Sequence, residues 1–191
     1  MSEPAQHPTS LYARLEALPE NLVGEIINGC LHAQPRPAGP HALAASRLGA
    51  DLEGPYGRGR GGPGGWWIID EPEVHFVQDQ VVAVPDIGGW RKQRMPTVPR
   101  GHRFEVVSDW LCEILSPTTA AFDRTEKMPV YAQYGVRHLW LLDPAARTLE
   151  VFEIRDARWT LHAAFKGNER ISAPPFQEVS ITLSDLWVDA R

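Results

Sequence analysis

Glu113 is the residue from which the chemistry of this chain can be read. It stands inside Trp110-Leu111-Cys112-Glu113-Ile114-Leu115, a run that otherwise has the composition of a buried strand. An acid is rarely buried in full unless it is paired or holds a metal. A second acid, Asp86, follows the apolar run Val81-Val82-Ala83-Val84-Pro85. Two carboxylates at the ends of two apolar strands are half of a metal site for phosphodiester cleavage. A hard cation such as magnesium takes oxygen ligands, keeps several waters and makes one of them a better nucleophile. Blander arrangements would leave the same letters. Glu113 could pair with a core arginine, and Asp86 could serve an ordinary turn in Pro85-Asp86-Ile87-Gly88-Gly89.

Phosphodiester hydrolysis also needs a positive group facing the charge that develops on the phosphate. Lys127 is the candidate, on the segment that follows the Glu113 strand, with Asp123 four residues earlier on the same helical face. The plain alternative is a surface ion pair. Pro129 has no N–H to give the helix, so a kink or a restart is expected there. Along a strand, side chains alternate between faces, so Glu113 and Leu115 share one side. If the strand ending at Asp86 lies beside the strand of Glu113, the two acids converge at one sheet edge.

The elements that must hold these residues follow from periodicity and turn chemistry. Thr9 or Ser10 caps a helix from Leu11 to Leu18, stopped by Pro19. Asn28-Gly29 between Val23–Ile27 and Cys30–Gln34 predicts a hairpin with a type I′ turn. His41 to Glu53 has helical apolar spacing, and the glycine-rich stretch 57–65 is a loop. Its chance GxGxxG lacks the strand and helix of a dinucleotide site. Strands are expected at 66–70, 74–77, 81–84, 110–115 and 138–143, with a helix over 119–134 ended by Gly135, a late hairpin from 149 to 165, irregular chain over 171–181 and a closing helical turn at 184–188. The segment from 88 to 108 reads as a basic groove or a solvated loop. Strand–helix–strand over 110–143 is a parallel crossover, and the flanking hairpins make the sheet mixed, an α/β chain of the α+β kind. Residues 1–8 are expected to be a loose tail, and 9–191 one domain.

The run Glu113-Ile114-Leu115-Ser116-Pro117-Thr118-Thr119, then Asp123, Lys127, Tyr131, Gly135-Val136 and Leu139 through Pro144, resembles the Uma2 family, a branch of the PD-(D/E)XK superfamily. Leu18 through Asn21, Gly24 through Gly29, Pro40-His41 and Val84-Pro85-Asp86 are similar to it as well. The resemblance implies a restriction-endonuclease-like core with flanking helices and extra β-hairpins. It implies Asp86 and Glu113 as metal ligands, the Ile114 carbonyl as a third, and magnesium or manganese as the cofactor. Leu115 stands where the superfamily usually has its lysine, and Lys127 takes that role from the helix. Glu25 resembles an additional acid of such sites, though a strand-surface residue would read the same way. His41 is either a supporting pocket residue or a satisfied helix-end histidine. The other histidines show no ligand spacing.

The reading is therefore a metal-dependent endonuclease acting on DNA. The alternatives are an inactive nuclease-fold binding or regulatory protein, and a hydrolase of a smaller phosphate ester. With 191 residues, 43% hydrophobic and 23% charged, the chain is ordinary globular material. Its net charge of −5 excludes indiscriminate nucleic-acid binding but not a local basic face. Arg91, Lys92, Arg94, Arg100 and Arg103 form such a cluster, or else a solvated loop. Cys30 and Cys112 read as free core thiols, which with no leader-like N-terminus and no membrane-length apolar run predicts a cytoplasmic location. A homodimer is expected, since cutting both strands takes two sites, and the seven tryptophans could give it an apolar interface.

Overall fold

Ser10 caps the first helix, its Oγ accepting the Ala13 N–H at 3.1 Å. The structure is a computed structural model and describes residues 10–188; the expected tail 1–8 and Thr9 lie outside the described residues. Helix α1 (Leu11–Glu16) is followed by the hairpin β1 (Leu22–Ile27) and β2 (Cys30–Pro35). Asn28 and Gly29 both take positive φ, 51° and 73°, as the type I′ turn requires. Helix α2 (Gly39–Leu52) runs into a wider turn over Glu53–Gly57, and β3 (Trp66–Asp70), β4 (Glu73–Val77) and β5 (Val81–Ala83) follow.

The next element departs from the expected loop. Ile87–Arg91 is a strand, β6, and it lies between β3 and β8 (Trp110–Ile114). Gly88-Gly89 reads locally as a turn, yet both glycines serve close packing. A Cβ on Gly89 would come within 2.9 Å of the Trp110 ring, and one on Gly88 within 2.7 Å of Trp90. Strand β7 (Arg103–Phe104) is short. After β8 come α3 (Ala120–Phe122), a widened turn at Asp123–Lys127 and α4 (Met128–Gln133), closed by Gly135 at φ 80°. Then β9 (His138–Asp143), β10 (Thr148–Arg155) and β11 (Arg158–Lys166) form the late hairpin region. The stretch read as irregular contributes a small ladder, β12 (Arg170–Ile171) with β13 (Ile181–Thr182), before a 3₁₀ turn at Leu183–Leu186.

One sheet has the order β2-β1-β5-β4-β7, and the other β11-β10-β9-β8-β6-β3. Strands β8 and β9 are parallel, as a helical crossover demands. Since β5 and β8 belong to different sheets, the strand ending before Asp86 is not the neighbour of the Glu113 strand. Asp86 instead sits at the passage from one sheet to the other, directly before β6. That strand pairs antiparallel with β8, Ile87 opposite Cys112.

The alternation along β8 sorts the core. Trp110, Cys112 and Ile114 face α2 and the C-terminal segment, where Phe176 packs among Trp66, Trp110 and Trp140. Leu111 and Leu115 face the opposite way, against Val130 and Tyr131 of α4 and Ile27 and Ala83 of the first sheet. Tryptophans 66, 90, 110, 140 and 187 are buried and the other two partly so, which makes most of them core residues. Cys112 is buried, but Cys30 is exposed beside its turn. Among the described residues no helix is long and apolar enough to cross a membrane.

Candidate active site

Glu113 follows the Leu111 and Leu115 side of β8 and is 2% exposed. Glu25 shares its face of β1 with Ile27, which places it in the same interior at 4% exposed; the strand-surface alternative does not hold. Lys127 comes from the crossover helix, and it too is 4% exposed. Its Nζ is 2.9 Å from Glu113 Oε1, 3.0 Å from Glu25 Oε1 and 3.8 Å from Asp123 Oδ1. The pair read as Asp123 and Lys127 is therefore a buried cluster and not a surface bridge.

The helix is shaped to allow this. Pro129 cannot donate to the carbonyl four residues back. Just before it the Met128 N–H reaches back five residues to the Asp123 carbonyl, a π-type turn. That wide turn carries both Asp123 and Lys127 inward. One turn further, Tyr131 donates its hydroxyl to Glu113 Oε1 in a short hydrogen bond. Residues 123, 127 and 131 thus form one stripe at helical spacing. That spacing was the signal for Tyr131, which sequence reasoning gave no role.

Asp86 lies at the other side of the same cavity, about 380 Å³, whose wall also includes Glu25, Glu113, Ile114, Asp123 and Lys127. Asp86 Oδ2 accepts the Ile114 N–H at 2.6 Å, which fixes the carboxylate against the end of β8. Its Oδ1 is 3.2 Å from His41 Nε2. His41 is in the first turn of α2. Glu25 Oε1 further accepts the Val84 N–H at 2.8 Å, tying the two strands of the first sheet at the cavity floor. At the mouth, the Ser116, Thr118 and Thr119 hydroxyls bond to one another at the start of the helix. Arg36, also on the cavity rim, pairs with Glu71 at 2.8 Å. The sequence gives neither the hydroxyls, which lie in the family-like run, nor Arg36 a role of its own.

Electrostatically the cavity is overloaded with acid: Glu25, Glu113 and Asp123 surround Lys127, and Asp86 lines the same wall with His41 beside it. Burial pushes the Glu113 carboxyl well above its usual range; Lys127 pulls it down, while Asp123, Asp86 and Glu25 push it further up. For Asp123, burial is again the main cause, offset by Lys127 and Thr119, and its carboxyl is pushed up to about 6. Burial alone would depress Lys127, but Glu113, Glu25 and Asp123 hold it firmly as the ammonium. His41 is also displaced upward, because Asp86, Asp123 and the Ile114 carbonyl outweigh its burial.

The donors suit a hard divalent cation. Two carboxylates, Asp86 and Glu113, and the peptide oxygen of Ile114 line one cavity, and the surplus of negative charge there is what such an ion relieves. Among the described residues, no three His, Cys, Asp or Glu side chains stand close enough together to hold a metal by themselves, so the peptide oxygen matters to that set.

The basic cluster is not part of this site. Arg91 closes the end of β6 remote from Asp86 and stacks on Trp66. Lys92 donates to the Gly57 carbonyl and stacks on Trp67. Arg94 is paired with the buried Asp109 at 2.8 Å, and Arg103 with Asp79 and Glu16. Four of the five residues read as a groove are thus tied to the protein itself. His75 is buried against Glu73 at 2.7 Å, outside the cavity.

A mixed sheet bearing Asp86 and Glu113 at adjacent strand ends, with a helical lysine over them, defines the restriction-endonuclease-like fold. The overall likeness agrees: a crystal structure of a "putative nuclease belonging to DUF820" from Anabaena variabilis superposes with a TM-score of 0.74 at 23% identity, covering 94% of this chain and 97% of that one. The chain belongs to the Uma2 family, described as "Putative restriction endonuclease", whose model matches residues 10–184. None of the curated proteins matches it.

Proposed function

We propose that this chain is a divalent-metal-dependent nuclease that hydrolyses phosphodiester bonds in DNA at the Asp86–Glu113 cavity. The observation that carries the reading is the buried convergence of Glu25, Glu113 and Asp123 on Lys127, with Asp86 on the wall of the same cavity. A structural core has no use for so many acids around one ammonium, because each desolvated carboxylate costs stability unless a further positive charge meets it. The family description points the same way.

In this reading Asp86, Glu113 and the Ile114 carbonyl hold magnesium or manganese. The chemistry supplied there is Lewis-acidic, a more acidic water and neutralised charge on phosphate oxygens. Asp86 is oriented by the Ile114 N–H, and Glu113 by Tyr131 and Lys127. Lys127, kept as an ammonium by its acids, faces the phosphate and stabilises the charge that grows on it. Glu25 and Asp123 hold Lys127 in place and keep its proton on. The hydroxyls of Ser116, Thr118 and Thr119 and the Arg36 guanidinium stand at the rim, where the flanking phosphates of a strand would lie. Cutting both strands takes two such sites, and a two-fold homodimer would supply them.

The test is plasmid cleavage with magnesium or manganese by the wild type and by Glu113→Gln and Asp86→Asn. Both substitutions keep shape and remove the charge that a hard cation needs. Cleavage should vanish in both variants while circular dichroism stays native. Metal-dependent cutting that survives Glu113→Gln would make Glu113 structural. Light scattering at micromolar concentration reads the dimer, and a monomer would refute that part.

A further inference from the structure

The Asp86–Glu113 cavity adjoins two further depressions, and they differ in charge. One, about 650 Å³, shares Arg36 and Glu71 with the cavity and continues over Glu20, Asp70 and Glu73. The other, about 450 Å³, shares a wall of His41, Ser116 and Pro117 with it. This second groove lies beyond the C-terminal ends of the parallel strands β8 and β9, beside the first turn of α2. Its surface is apolar, built from Leu115, Pro40, Pro117, Pro144 and Val188. Pro40 and Pro117 are exposed, and so is Val188 at 46%. Among the described residues no carboxylate lines the groove, and its charged member is Arg147, exposed on the turn after β9. Arg147 donates one N–H to the Val188 carbonyl at 3.2 Å, which leaves most of its guanidinium for a ligand.

We propose that the groove between Pro40, Pro117 and Arg147 receives the base of the nucleotide next to the scissile phosphate, so that the chain cuts DNA in which that base is unpaired, either a single strand or a duplex opened at the cut. This rests on the reading of the Asp86–Glu113 cavity as a phosphodiester-cleaving site and names the substrate class of that site. Charge selects the path. A polyanion leaving the cavity over Glu20, Asp70, Glu71 and Glu73 meets like charge, whereas the apolar groove offers none and carries a guanidinium. Shape and chemistry select the occupant. The proline rings and Leu115 give apolar surface that the face of a base can cover, and Arg147 can stack on that face or meet the next phosphate. Inside a duplex both faces of a base are covered by its neighbours, so only an unstacked base can lie there. Of the other polar side chains in the groove, His41 is bound to Asp86, and Ser116 to Thr118 and Thr119. Little is left to read base edges, so cutting should tolerate any sequence.

The experiment uses the full chain at one fixed salt concentration. In EDTA, where metal-dependent cutting is off, fluorescence anisotropy compares a labelled oligothymidine with an abasic strand of the same length. The two carry the same phosphates, so the charge of the cavity weighs on both alike. The wild type should bind oligothymidine about tenfold or more tightly than the abasic strand. Ala145→Glu places a carboxylate on the exposed wall of the groove and should weaken oligothymidine binding by about tenfold or more. Gln133→Glu adds the same charge at the exposed far end of α4 and should change little. Equal binding of the two strands overturns the base pocket, and so does an equal loss in the two variants. With magnesium or manganese, a single strand should be cut about tenfold or more faster than its duplex. Equal rates overturn the substrate class and leave the nuclease reading standing. Failure of the wild type to cut either substrate overturns the nuclease reading and the substrate class with it. The comparison of the two strands needs no variant, so poor folding of Ala145→Glu does not shelter the proposal.

Discussion

Lys127→Met replaces the buried ammonium with an apolar side chain of similar length. Two close ion pairs go with it, to Glu113 Oε1 at 2.9 Å and Glu25 Oε1 at 3.0 Å, and the acids stay behind at 2% and 4% exposed. Removing one partner of a buried pair typically costs about 3–5 kcal/mol, because the remaining charge is left without compensation. Here the protein has a way out. Burial already pushes the Glu113 carboxyl upward, so without Lys127 a proton can replace the lost cation. The cost should therefore depend on pH. At pH 8 in EDTA the variant should lose the full amount, a drop of roughly 6–20 °C in melting temperature for a chain of this size. At pH 5 the loss should shrink to about half or less, because protonation is then cheap. Adding Glu113→Gln to Lys127→Met should restore part of the stability, with a coupling of at least about 1 kcal/mol. The assay is thermal and urea denaturation of the three proteins at both pH values. A variant that melts within about 2 °C of the wild type at pH 8 would refute the reasoning, and so would an equal loss at both pH values.

Other consequences are open to the same kind of measurement. The Asp123 carboxyl is raised in the folded chain from 3.8 to about 6. Its contribution to stability is therefore complete below pH 4 and lost as pH rises through 6, by about 3 kcal/mol. In EDTA the stability of the wild type relative to Asp123→Asn should fall by that amount between pH 4 and pH 7, and a flat difference in urea midpoints would contradict it. Tyr131→Phe removes the hydroxyl that holds Glu113 and should cost about 1.5–3 kcal/mol in urea unfolding, whereas a neutral change would make the contact idle. Gly89→Ala places a Cβ 2.9 Å from the buried Trp110 ring, so a loss of about 1–3 kcal/mol is expected, and an unchanged midpoint would mean that β6 can shift away. Magnesium at a hundred times its dissociation constant should add about 2.7 kcal/mol at pH 8 and much less at pH 5, where the acids hold protons; equal gains would place the ion elsewhere.

Much of this molecule was legible in the linear chain because the signals were local. The Ser10 cap, the Asn28-Gly29 turn, the Gly135 stop and the crossover from Trp110 to Asp143 depend on neighbouring residues and came out where the pattern put them. Glu113 announced itself as an acid in an apolar strand, and the 123–127 spacing placed its lysine on the facing side of the helix. What the sequence could not decide was which strands lie side by side. Gly88-Gly89 looks like a turn until the Trp110 and Trp90 rings occupy the space that two Cβ atoms would need. Pairing is a long-range choice, set by packing, and it alone moved Asp86 from the end of β5 to the mouth of β6, beside Ile114. The same holds for charge. Arg91, Lys92, Arg94 and Arg103 look free as a list, but the fold spends them on Trp66, Trp67, Asp109 and Asp79. Residue types set what chemistry was available, and the tertiary structure decided which charges were left facing the cavity, because only packing determines which side chains lose their water.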